Sequence, residues 1–234
     1  MRPRAILLAA LLPACAGCRP LGFYLDNPVN PMEGIRKIAV IPVGTPGTDD
    51  PVELGDMLAA ELVQFPGVEV VRPSDVQSVA RKNSLGFADE GSIRAIGRLS
   101  GADAVLAVEL TEYVPYSPPR IGFAAQLFFT APGSSDARTA IDLSAMGRAR
   151  PVARLDRGGL IQIEKVYDGS QREVRHMAAT YARGHATEGE AIDGADRVLR
   201  LPDFYFRFVS NRLVRDIFAA YRERRSASRD DGSA

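Results

Sequence analysis

The 234-residue chain is 46% hydrophobic and 25% charged, enough apolar material for one core of ordinary size. Its 29 basic and 29 acidic side chains cancel, and loss of Arg2 and Arg4 with a leader would leave two net negative charges. That excludes the basic balance expected of a generic nucleic-acid binder. The two cysteines, Cys15 and Cys18, both precede the globular part, which therefore carries neither a disulfide nor a thiol site.

Residues 1–18 read as an export signal. Met1 to Arg4 supplies a positive start and Ala5 to Leu12 an apolar run of eight residues, too short to span a bilayer as a helix. Small residues and cysteines follow at once. This resembles a bacterial lipoprotein signal, in which the leader is cut immediately before a cysteine whose sulfur is acylated. Leu12-Pro13-Ala14-Cys15 and Cys15-Ala16-Gly17-Cys18 are the two candidate lipidation sites, and an ordinary secretory leader with incidental cysteines is the alternative. Acyl chains contribute about 0.8 kcal/mol per buried methylene, so such an anchor needs no transmembrane helix. Residues 19–36, with Pro28, Pro31 and no helical or strand period, are expected to form an extended, mobile tether.

A single domain is expected over residues 37–223. Lys37 to Val43 places Ile38, Val40, Ile41 and Val43 on both faces of one strand, as in a central strand covered on both sides, although Pro42 cannot donate to a ladder. Asp50-Pro51-Val52-Glu53 starts a helix whose inner face is Leu54, Leu58, Leu62 and Phe65, ending at Pro66-Gly67. Val68 to Val71 is a short strand. Pro73 opens a helix with Val76, Val79 and Ala80 inward, and Asp89 caps another with Ile93, Ile96 and Leu99 inward, stopped by Gly101.

Strands follow at Ala102 to Tyr113 and Arg120 to Thr130, joined by a wide turn containing Pro115, Pro118 and Pro119. Ile121, Phe123, Ala125, Leu127 and Phe129 share one face. Further strands are expected at 140–147 and 160–167, and a helix at Gln171 to Arg183. Asp203 to Arg222 is an amphipathic helix with Phe204, Phe208, Leu213, Ile217 and Tyr221 on its apolar side, and residues 224–234 read as a disordered tail.

The succession of lipoprotein leader, IAVIPV, helix, VEVVRPSDV, IGRLSGADAVLAVELTEY and RIGFAAQL resembles the envelope lipoproteins related to the curli secretion protein CsgG. That broad group includes accessory lipoproteins of cell-wall synthesis and exopolysaccharide export such as the LpoB and PelC types, and the amino-terminal domain of TolB is similar. Gly101-Ala102-Asp103 matches the group's usual start of a strand. The resemblance covers residues 36–130 well and implies an α/β (α+β) fold of three layers, a mixed sheet flanked by helices, and a role without catalysis or cofactor.

Chemical motifs are weak. Gly44-Thr45-Pro46-Gly47 sits where a phosphate loop would, yet no Gly-Lys-Ser/Thr follows and Asp49 and Asp50 would repel phosphate. His176 and His185 have no third ligand for a metal and read as surface residues. Ser170, His176 and Asp168 lack a nucleophile elbow. Glu109 and Glu112, by strict strand alternation, fall on opposite faces and make no acid-base pair. Tyr113 and Tyr116, on the Pro-stiffened turn, and Arg207 and Arg215, on the last helix, are the candidate partner contacts.

Three functions fit. The first is a non-enzymatic lipoprotein of a bacterial envelope, which the resemblance implies to lie on the periplasmic face of the outer membrane; neither Ala16 nor Arg19 is the Asp that would signal inner-membrane retention. It would oligomerise or dock onto a machine for secretion, polymer export or wall synthesis. The second is a subunit of an outer-membrane secretion channel using residues 121–147. The third is a small-ligand-binding envelope protein.

Overall fold

The computed structural model describes residues 27–42, 51–130, 161–185 and 194–230. The elements in chain order are β1 (Lys37–Val40), α1 (Pro51–Leu62), β2 (Glu69–Val71), α2 (Pro73–Lys82), α3 (Glu90–Leu99), β3 (Ala104–Val114), β4 (Arg120–Phe129), β5 (Ile161–Asp168), α4 (Arg172–His185), α5 (Gly194–Arg200) and α6 (Pro202–Asp230). They build one sheet in the order β2-β1-β3-β4-β5. β1 runs parallel to β2 and β3, and β4 is antiparallel to both β3 and β5, so the sheet is mixed. The expected strand at 140–147, the loop before it, Cys15, Cys18 and Gly44 to Gly47 lie outside the described residues.

The layering follows from handedness. The chain crosses from β1 to β2 in one direction and from β2 back to β3 in the other, so right-handed crossovers place α1 on one face and α2 with α3 on the opposite one. Side chains agree. Ile38 and Val40 join the main core with Leu54, Leu58 and Leu62 of α1, whereas Ala39 and Ile41 join a second core with Val76, Ala80, Ile93 and Ile96. β1 ends at Val40, ahead of Pro42, yet Ile41 N still donates to Leu106 O at 3.0 Å.

Gly101-Ala102-Asp103 has a structural purpose here. Gly101 turns the chain out of α3 at φ 64°, Ala102 fills the second core, and the Asp103 carboxylate receives the amides of Arg36 and Lys37 at 2.9 and 2.8 Å. Gly97 lets α3 close on the sheet, because a Cβ there would meet Val105 and Thr130 side chains. Leu99 differs from expectation: it is 56% exposed, and Arg94 and Gly97 take the inward positions instead. Arg94 is tolerated inside since Glu90 binds it and it donates to the Phe129 carbonyl.

α6 organises the main core. Tyr205, Phe206, Phe208, Val209, Leu213, Val214, Ile217 and Phe218 are all buried, a wider face than the five residues expected from spacing. Phe206 meets Phe123 of β4 edge-on at 5.7 Å, and Phe218 meets Phe65 at 5.4 Å. Burial of each such ring contributes about 1.5 to 3 kcal/mol. The helix also continues past Arg222 to Asp230, correcting the disordered tail over 224–230; Arg225 of this last stretch is ion-paired to Glu33 at 2.7 Å.

Candidate functional site

Residues 27–36 are not a free tether. Asn27 and Met32 are buried, at 9% and 3% exposure, and the segment lies along α6 as a strap. The reason is its asparagines. Asn30 donates from Nδ2 to Ile35 O at 2.6 Å and to Gly67 O at 3.3 Å, its Oδ1 accepts from Met32 N, and its own amide donates to Pro66 O. At one end Arg215 Nη2 donates to Asn27 Oδ1 at 2.8 Å; at the other Arg225 pairs with Glu33. Sequence composition showed prolines and asparagines without a period; it did not show that each asparagine has a backbone or arginine partner waiting.

Beneath Asn27 sits a buried polar cluster that joins α1, α4 and α6. Glu61, with its side chain 1% exposed, accepts from Tyr181 Oη at 2.8 Å and from Asn211 Nδ2 at 3.4 Å. Asn211 in turn accepts on Oδ1 from Arg215 Nε at 3.1 Å and reaches Asn27. His185 covers the outer side: Nδ1 donates to Tyr181 O at 3.0 Å, and Nε2 lies 3.2 Å from the Gln64 amide and 4.0 Å from Glu61. Burial raises the Glu61 carboxyl above its ordinary range, against the lowering effect of the Tyr181 and Asn211 hydrogen bonds and of Arg207. Burial, together with Arg207, lowers His185 against the raising effect of its hydrogen bond to Tyr181 O. Tyr181 is pushed far up by burial and by Glu61.

Spacing carried one signal for this cluster. Glu61 falls seven residues after Leu54 and three after Leu58, on the inward stripe of α1, so an acid among leucines marks the buried site. Tyr181 and Asn211 become its partners only through tertiary packing.

The expected contact residues separate. Tyr116 is 77% exposed on the β3–β4 turn. Tyr113 packs against the main core instead, and its hydroxyl is raised by burial and by Asp203. Arg207 is exposed, while Arg215 is engaged by Asn27 and Asn211 and stands 6.0 Å from the Phe65 ring centre. These four residues do not form one surface.

The catalytic alternatives resolve locally. Asp168 Oδ1 accepts from the Ser170 amide at 2.8 Å in one tight turn. Glu109 and Glu112 require a correction: the register shifts between Leu110 and Glu112, so the two pair with Ala124 and Gly122 and share one sheet face. A bulge at Thr111 adds the residue that breaks strict alternation, and Gly122 leaves room for the Thr111 hydroxyl. Glu112 is bound by Arg120 at 3.2 Å.

An open cleft of about 620 Å³ lies where the strap meets the start of β2, lined by Val29, Met32, Glu33, Arg36 and Glu69 among others. Among the described residues no group of three or more metal-ligating side chains converges, and no helix is long and apolar enough to cross a membrane.

No protein-family profile matches the chain, and no curated protein matches it. Several solved structures are distantly similar to it. Lipoprotein GNA1162 from Neisseria meningitidis is 18% identical over 56% of this chain and 79% of its own, with a TM-score of 0.34. A PelC variant dodecamer from Paraburkholderia phytofirmans is 17% identical, covering 42% of this chain and 64% of its own, with a TM-score of 0.26. The hypothetical protein CT253 from Chlamydia trachomatis is 14% identical over 79% of this chain and 94% of its own, with a TM-score of 0.36. Likenesses of this size carry no inference about activity.

Proposed function

We propose that the chain is a bacterial envelope lipoprotein without catalytic activity, acylated at Cys15 or Cys18, that serves as an accessory or assembly component of an envelope machine for secretion, polymer export or wall synthesis. The observation that carries this reading is the pair of acylatable cysteines just after a short apolar leader, followed within a few residues by a strap fastened to the domain at Asn27 and Asn30. An anchor joined to a fastened strap keeps the domain on a short leash from the membrane, which suits an accessory subunit. The absence of an Asp after either cysteine favours the outer membrane, with the domain in the periplasm.

The channel alternative uses β4 as a lipid-facing strand, and against it Ile121, Phe123, Ala125 and Leu127 are packed in the core beneath α6. To insert in a bilayer that row would have to shed α6. The ligand-binding alternative is supported by the open cleft beside the strap.

Brief crosslinking in intact cells followed by extraction in mild detergent tests the proposal. A lipidated monomer joined to one different envelope protein, or a modest homo-oligomer joined to it, is expected. A detergent-resistant ring of this chain alone would favour the channel, and an uncrosslinked protein free in the periplasm would contradict both.

A further inference from the structure

We infer that the strap-bearing face of α6 docks on an anionic phospholipid surface, so that the domain lies against its membrane with α6 parallel to the bilayer. This inference rests on the acyl anchor proposed above.

Residues 207, 211, 215, 218, 222 and 225 recur at steps of three and four and share one stripe of α6. The middle of the stripe is covered: Asn211 and Phe218 are buried, and Arg215 and Arg225 bind Asn27 and Glu33 of the strap. Arg207 and Arg222 are exposed beyond it. Fifteen residues of helix separate them by roughly 22 Å, so they mark a line. The carboxylates on this side are Asp203, one turn before Arg207, Glu33, paired to Arg225, the buried Glu61 beneath Asn211, and Glu223 on the flank beside Arg222. On the stripe itself four arginines, Arg207, Arg215, Arg222 and Arg225, stand against one exposed helix carboxylate, Asp203, in a chain whose overall charge is zero.

The short run of chain between the cysteines and the strap identifies the occupant. Asn27 is held on this stripe, nine residues after Cys18 and twelve after Cys15. Even fully extended, that length reaches only roughly 30 to 40 Å, so an acyl anchor holds the strap, and with it this face, within that distance of the headgroups. A short leash raises the effective concentration of lipid phosphate at the arginines. Cations close to an anionic surface then favour the docked state by about fivefold per residue, an effect confined to roughly 10 Å by screening.

The chain has no tryptophan, so one can be introduced as a probe. The membrane-extracted, full-length mature protein carrying Ser226→Trp, on α6 next to Arg222, or Leu99→Trp, exposed on α3, is placed in nanodiscs with headgroup spin-labelled lipid. In discs containing phosphatidylglycerol the Ser226→Trp protein is expected to be quenched and the Leu99→Trp protein not; in purely zwitterionic discs neither is. Adding R207Q and R222Q lowers the ratio of docked to undocked protein by about 25-fold. Equal quenching at both probes, or equal quenching of Ser226→Trp in charged and zwitterionic discs, overturns the inference. Mass spectrometry of the same samples separates the two readings: a protein without acyl mass overturns the anchor and this inference together, whereas an acylated protein with even quenching overturns only the docked face.

Discussion

The Asp103 carboxylate stands 2.8 Å from the Lys37 amide and holds the leading end of β1 in place. The same oxygen takes the Arg36 amide at 2.9 Å, and the Asp103 amide donates to Lys37 O at 2.7 Å. One side chain thus joins the strap to the central strand and to β3, with two bonds to an ionised acceptor. Asp103→Ala is expected to lose about 2 kcal/mol, and Asp103→Asn, which keeps an acceptor, roughly half of that. Urea unfolding reads both; equal stability of Asp103→Ala and the parent would remove the assigned role.

Gly97 tests the packing of α3 on the sheet. Alanine should gain about 1 kcal/mol of helix propensity, yet its methyl would stand 2.5 Å from Thr130 Cγ2 and would also meet Val105. Both neighbours are β-branched and stiff, so overpacking of about 1 to 3 kcal/mol prevails. Gly97→Ala therefore lowers the urea midpoint, and a rise would show that α3 can lift off the sheet without penalty.

Glu61 and His185 give the protein two opposed pH dependences. Burial raises Glu61 from 4.5, so its contribution to stability is complete below pH 4.5 and is lost as pH climbs through the raised folded value. Burial lowers His185 from 6.5, so its contribution is complete above pH 6.5 and is lost as pH falls through the lowered value. Glu61→Gln should remove the limb that declines above pH 4.5, leaving one that rises toward pH 6.5. His185→Gln should do the reverse. Unfolding curves from pH 4 to 8 check this, and unchanged profiles in both variants would mean the cluster is solvated in solution.

The strap is also open to substitution. Asn30→Ala leaves the Ile35 and Gly67 carbonyls and the Met32 amide without their side-chain partner, at about 1 to 3 kcal/mol. Local opening should precede global unfolding. Hydrogen exchange at Met32 and Ile35 is expected to accelerate at least tenfold while that of β3 changes little. Uniform acceleration would instead make the strap part of the global unit.

What the sequence revealed divides along local and non-local lines. Pro51, Asp89 and Gly101 punctuate helices by local geometry, and all three stand at the ends expected of them. The alternation from Ile121 to Leu127 faces the main core as anticipated. Leu99 misled because its spacing from Ile96 is helical, while the room beneath α3 ends at Gly97. Thr111 inverted the faces of Glu112 and Tyr113 because a bulge leaves no mark in a two-residue period. The strap looks free in sequence because its partners, Pro66, Arg215 and Arg225, lie 36 or more residues away. Of the candidate contacts only Tyr116 and Arg207 remain exposed. The Glu61 cluster showed in sequence only as an acid on an apolar stripe.

The most direct test of the account is the mass of the mature amino terminus of protein extracted from its native membranes. A chain beginning at Cys15 or Cys18 with a diacylglyceryl group on its sulfur is predicted, together with release of the Cys15→Ser, Cys18→Ser double variant from the membrane. A mature protein that begins at another residue and carries no acyl mass would contradict the lipoprotein reading and the orientation built on it.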